Sequence, residues 1–346
     1  MSMPSMCGVR GFGWLAVLLV FAQPFALAQD KFAGTRDEPM LGFVEQRVVF
    51  PWEKESAPAT LCLPSSRSKK VAAVALVRGA GPEESGDTDR VAFMFDDLAH
   101  GLARAGIASL RYDPPPYSFA NAPDPNQLPL DQQIVNEAVA ALVYMRGLRE
   151  IDSSAVFILG HGLAGTLAPD IAARYDHTHG VILMAAPALP VEKTLAQQKR
   201  LELQKQAMPA QEIEEILSAQ NQTFADIRSG KMQSARLYAG ATVAYWRDRM
   251  NRDPARKAKT LDIPILVLQG ANDTEVHEAD YERLQSILSK KAGGNSQFHW
   301  FPDLNHVFAP SKAAQSSSTS KSIDPEVIRV IASWMKSQVA STATKR

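Results

Sequence analysis

The chain has 346 residues, room for one large domain or two small ones. Lysine plus arginine and aspartate plus glutamate both total 37, so the formal net charge is zero, which argues against a nucleic acid or an anionic membrane surface as partner. The two cysteines, Cys7 and Cys62, make no disulfide framework, and no cysteine or histidine group has zinc-site spacing, so neither a metal nor a cofactor is expected.

At the N-terminus Arg10 is followed by an apolar run over residues 14–21, a break at Pro24 and the small-residue triplet Ala26-Leu27-Ala28. This pattern predicts a signal peptide over residues 1–28, cleaved near Ala28, and an exported, periplasmic protein. The run falls short of the ~20 residues of a membrane span, so no stable membrane insertion is expected. Residues 29–41 are polar and irregular and read as a mobile arm. Residues 44–50 and 59–63 read as an antiparallel hairpin at a sheet edge, with Cys62 a small core residue. The unbroken apolar run 71–77 suits a strand buried on both faces.

Arg78-Gly79-Ala80-Gly81-Pro82 is a glycine-rich turn at the end of that strand. A helix is expected over 91–105, a strand over 107–113, and an extended loop at Pro114-Pro115-Pro116. Residues 132–149 carry Ile134, Val139, Leu142, Val143 and Leu148 at helical spacing. Residues 154–159 are β-branched and apolar and stop abruptly at Gly160-His161-Gly162, and a helix-compatible run begins at Leu163 and ends at Arg174. That is a strand, a very tight turn and a helix. Another buried strand follows at 181–186.

From 189 to 259 the strand signal disappears, and helical spacing takes over up to Tyr245-Trp246. Strand periodicity returns at 263–268, followed by Gln269-Gly270-Ala271-Asn272-Asp273. A helix is expected at 278–288 and a last strand at 297–301, followed by Asn305-His306. Residues 309–322 read as a mobile Ser/Lys/Ala loop, and 324–337 as a C-terminal helix with Pro325 in its first turn.

Strands alternating with helices predict a doubly wound, mostly parallel sheet. Gly162, Asp273 and His306 each follow a predicted strand, and their order is tight turn, acid, histidine. An ionised carboxylate can fix the tautomer of an imidazole, which then serves as a general base. His277 is the one serious rival to His306, although it lies close to Asp273 in sequence.

These segments resemble exported bacterial α/β-hydrolases of the serine aminopeptidase-like and dienelactone hydrolase-like kind. The resemblance rests on Arg78 to Pro82, residues 97–103 and 106–113, the turn at 160–165, residues 268–273 and Asn305-His306, and covers most of residues 40–340. It implies an α/β-hydrolase fold with core segments 42–188 and 260–340 and an inserted helical lid over 189–259. It also implies serine-dependent hydrolysis of ester, thioester or peptide-like bonds in a small-molecule or short peptide ligand. Backbone N–H groups of Ala80 and Leu163 would form the oxyanion hole. Tyr245 and Trp246 would line a pocket beneath the lid or pack the lid onto the core. In that family the turn is the nucleophile elbow, G-x-S-x-G. Here Gly162 stands at the serine position and Ala164 at the second glycine. Glycine offers no nucleophile, so three readings follow: a non-catalytic binding protein, a residual hydrolase in which Asp273 and His306 activate a water, or a chain altered at one position from an active serine hydrolase.

Overall fold

The computed structural model describes residues 35–38, 41–52, 55–66, 68–79, 88–112, 128–311 and 322–344. The segment read as a signal peptide, residues 80–82 of the glycine-rich turn, the triple proline at 114–116 and residues 312–321 of the Ser/Lys/Ala stretch lie outside them.

In chain order the strands are β1 (Thr35–Glu38), β2 (Phe43–Trp52), β3 (Glu55–Pro64), β4 (Val71–Val77), β5 (Ala108–Tyr112), β6 (Ile151–His161), β7 (Val181–Met184), β8 (Leu237–Tyr238), β9 (Ala241–Thr242), β10 (Ile265–Gly270) and β11 (Ser296–Phe301). The helices are α1 (Thr88–Arg104), α2 (Asn136–Gly147), α3 (Leu163–Arg174), α4 (Val191–Lys205), α5 (Ala210–Arg228), α6 (Val243–Met250), α7 (Pro254–Lys259), α8 (Glu278–Leu288) and α9 (Pro325–Thr344). One nine-stranded sheet runs in the order β1-β2-β3-β5-β4-β6-β7-β10-β11. The six strands from β5 to β11 are mutually parallel, and β1, β2 and β3 close one edge in antiparallel pairing. This is the mostly parallel α/β sheet that the alternating pattern predicted.

The apolar runs are continuous because both faces of the sheet are covered. Along β4, Ala73, Ala75 and Val77 face one core and Val74 and Leu76 the other. Along β6, Val156 and Ile158 point one way and Phe157 and Leu159 the other. Helices α1 and α9 cover one face; α2, α3, α8 and residues of the segment between β7 and β10 cover the other. No helix among the described residues is long and apolar enough to cross a membrane.

Three local expectations are corrected. Residues 35–38, read as part of a mobile arm, form β1 and pair with β2 from Thr35↔Gln46 to Glu38↔Phe43. An open strand edge recruits backbone groups whatever side chains they carry, so a polar sequence gave no warning. The helix expected from 132 starts as a π-turn over Asp131–Val135 before α2, and Val143, counted toward its apolar stripe, is 53% exposed. The stretch read as free of strands holds the small hairpin β8–β9, turned by Ala239 at φ 44° and Gly240 at φ 80°. Two positive φ values in a two-residue turn are what a tight hairpin requires, and a four-residue hairpin is too short to show a period.

Candidate active site

In a parallel sheet every strand ends on the same side, so the residues following β6, β10 and β11 gather at one rim. Gly162 follows β6 and serves as N-cap of α3, with φ 58° and ψ −127°. That combination is open essentially to glycine alone without strain. Its N–H donates to the carbonyl of Met184 at 3.1 Å, and its carbonyl accepts from the N–H of Thr166 at 3.2 Å. The tightness of the turn is set by Gly160, where an added Cβ would lie 2.3 Å from the Ala164 carbonyl oxygen. The Ala164 side chain is accommodated in the core with no exposure.

Asp273 lies in the turn after β10, its carboxylate fully enclosed. Oδ1 accepts the N–H groups of Glu275 at 2.8 Å and Val276 at 2.9 Å. Oδ2 accepts Gln269 Nε2 and His306 Nδ1, both at 2.9 Å. Burial alone would raise this carboxyl, but the His306 ring and the two backbone donors outweigh it and hold Asp273 below the usual aspartate range. Because a carboxylate can only accept, Nδ1 of His306 carries the hydrogen, and Nε2 lies on the other edge of the ring, toward Glu275.

The loop carrying His306 is itself built. Asn305 Oδ1 accepts from the N–H of Val307 at 3.1 Å and of Ala309 at 3.0 Å. The Asn305 N–H donates to Ala309 at 3.0 Å, and Phe308 is fully buried at φ 55°. The two loops are stitched together where Asn272 donates to Leu304 O at 2.9 Å.

A family model described as serine aminopeptidase, S33, matches residues 85–309. The chain belongs to that family. Esterase EstD of Thermotoga maritima is 32% identical over 281 residues, 80% of this chain and 65% of that esterase; the chain thus spans just under two thirds of its curated relative. Among solved structures, Est1E from Butyrivibrio proteoclasticus superposes with a TM-score of 0.57 at 14% identity, covering 85% of this chain and 99% of that one. A hyperthermophilic esterase from Pyrobaculum calidifontis gives 0.53 at 14% identity, covering 85% and 86%. At such identities the likeness is one of fold, and the fold is that of α/β-hydrolase esterases.

In this serine aminopeptidase family member, Asp273 meets His306, while His277 caps the N-terminus of α8. Leu163 is the first residue of α3, directly after Gly162, and Ala80 lies outside the described residues. Tyr245 and Trp246 are buried, 0% and 1% exposed. Their rings meet edge to face at 5.0 Å, Trp246 packs likewise on Phe224 at 5.6 Å, and its Nε1–H donates to Tyr238 O at 2.7 Å. Of the two roles open to them, core packing is the one that this burial serves. Among the described residues no group of acidic, histidine or cysteine side chains could hold a metal.

Three residues that the sequence did not single out complete the site. Gln269, buried at the end of β10, spans Asp273 Oδ2 and the Val276 carbonyl at 3.0 Å. His161, the last residue of β6, has no exposure, its ring lies 4.5 Å from that of His306, and Nε2–H donates to the backbone carbonyl of His306 at 2.9 Å. Nδ1 of His161 has no hydrogen-bond partner among the described residues, and burial, with His306 adding to it, pushes this imidazole down to about 3. Glu275 follows two residues after the acid, and its Oε2 lies 3.5 Å from Nε2 of His306. One further buried acid ties the site's surroundings together. Asp280 at the start of α8 accepts the N–H groups of Ala188 and Leu189, each at 2.7 Å, and burial raises its carboxyl.

Proposed function

We propose that this family member keeps the hydrolase site but cannot form an acyl-enzyme, because Gly162 stands where the nucleophilic serine belongs. It binds ester-, thioester- or peptide-like small molecules or short peptides, and its serine route to hydrolysis is closed. The observation that supports this reading is the backbone at position 162, which holds an elbow-tip conformation around a residue without a side chain. The test is labelling by a serine-directed fluorophosphonate. The wild-type chain should not label. Gly162→Ser should gain labelling and esterase activity, and lose both again with His306→Ala or Asp273→Asn. It should also lose about 1–3 kcal/mol of stability, since serine must take a conformation that glycine takes freely. Labelling of the wild type at the site, or a Gly162→Ser variant that neither labels nor loses stability, would overturn the reading.

A second reading is favoured by the intact pair of Asp273 and His306 at 2.9 Å. An oriented imidazole can take a proton from water as it would from serine, giving slow direct hydrolysis. In both readings residues 189–259 act as a helical lid, and the chain is exported after cleavage near Ala28, which N-terminal sequencing of the secreted protein would check.

A further inference from the structure

In a serine hydrolase the outward nitrogen of the catalytic histidine meets the nucleophile's hydroxyl. Here the group opposite that nitrogen is a carboxylate. Oε2 of Glu275 lies 3.5 Å from His306 Nε2. That is too long for a good direct hydrogen bond and short enough for one water, at about 2.8 Å from each atom, to touch both. The position of Glu275 is not accidental to the turn. Its backbone N–H is one of the two that fix Asp273 Oδ1, so the residue that donates to the acid also carries the second carboxylate to the far side of the imidazole. Its side chain is 47% exposed, where Asp273's is fully enclosed, so Glu275 stands at the open side of the site, within reach of solvent and ligand.

We propose that Glu275 is a catalytic residue for direct hydrolysis, holding with His306 the water that stands in for a serine hydroxyl. The proposal rests on the second reading above. One water O–H points to Nε2 and the other to Oε2, which leaves an oxygen lone pair for the substrate. The water oxygen forms a bond to the ester carbonyl carbon as its proton passes to Nε2. The C–O bond to the leaving alcohol then breaks, and the proton on Nε2 passes to the departing oxygen. Ester and water become acid and alcohol, and both side chains return to their starting state. Glu275 changes no proton; it aims the water and offsets the positive charge that develops on the imidazole ring. The substrate class is an ester with a good leaving group, because no covalent step divides the barrier.

The experiment uses p-nitrophenyl acetate with the purified chain. Wild type should hydrolyse it faster than His306→Ala. Glu275→Gln should lower kcat about tenfold or more with KM little changed, within the range of general acid–base effects. In Glu275→Ala, added formate should restore part of the lost rate, and chloride should not. The wild-type chain should release nitrophenol without an initial burst, since no acyl-enzyme accumulates. A Glu275→Gln rate equal to wild type, or a wild-type rate no higher than that of His306→Ala, would overturn the proposal. Neither outcome touches the absence of an acyl-enzyme, which fails separately if the fluorophosphonate labels the wild type.

Discussion

Stability should fall between pH 7 and pH 5 because of one buried ring. His161 is fully enclosed at the end of β6, donates from Nε2 to a carbonyl and offers Nδ1 to no donor among the described residues. Protonating Nδ1 would bury a charge with an unsatisfied N–H, which is why its folded pKa is pushed down to about 3. In the unfolded chain the same ring takes its proton near pH 6.5. Below that pH the unfolded state binds a proton that the native state refuses. The stability that His161 contributes is therefore complete above about pH 6.5 and is lost progressively as pH falls toward 3. The separation implies a loss of about 2 kcal/mol at pH 5 and up to about 5 kcal/mol at the acid limit, at 1.36 kcal/mol per pH unit. Urea unfolding at pH 7 and pH 5, on wild type and on His161→Phe, isolates the effect. The phenylalanine variant should be less stable at pH 7, by about 1–3 kcal/mol for the orphaned His306 carbonyl. It should nevertheless lose about 2 kcal/mol less than wild type on going to pH 5. Equal losses in the two proteins, or an NMR titration of His161 near pH 6.5, would refute the argument.

Three other perturbations test the site's construction. Gly160→Ala should cost about 3 kcal/mol or more, read as a lowered urea midpoint, because its Cβ would meet the Ala164 backbone oxygen at 2.3 Å. Gln269→Leu removes a donor from Asp273 and should destabilise by about 1–3 kcal/mol; in a Gly162→Ser background it should also reduce the gained esterase kcat more than it changes KM. A chelator should leave the thermal midpoint of the purified chain unchanged, since the fold is held by two apolar cores and no acid, histidine or cysteine cluster among the described residues fits a metal.

What the sequence disclosed about the site depended on how each residue is introduced. Asp273 was legible because it follows a run of apolar residues that could only be a buried strand, and His306 because it follows the next strand, which alternates polar and apolar residues at the sheet edge. Gly160 to Leu163 was legible because a strand pattern gives way to a helix pattern with no room for a loop. Glu275 was not, because a glutamate in a polar turn looks like any solvated turn residue until the turn folds its side chain back toward His306. Gln269 and His161 were hidden for the opposite reason. They sit at the ends of strands where an apolar residue is the usual occupant, and only the partners they meet, Asp273 Oδ2 and the His306 carbonyl, show why a polar group is tolerated. The aromatic pair Tyr245-Trp246 gave no way to separate a ligand wall from a core; both rings are buried and meet edge to face.

The bonds of Asp280 carry a mechanical consequence. Its carboxylate grips the chain at Ala188 and Leu189, where the backbone leaves β7 for the inserted helices, while its own helix begins two residues after Val276, whose N–H and carbonyl brace Asp273 and Gln269. The near stem of the insertion is thus anchored to the same short stretch that aims the acid. The far stem is tied as well, where Arg252 pairs with Asp131 and Asp170, and Asp253 with Arg283. A force that tugged the near stem loose would have to break two charge-assisted bonds in a dry interior and would drag on the carboxylate that orients His306, so displacement of the helices and misalignment of the imidazole are geared to one another.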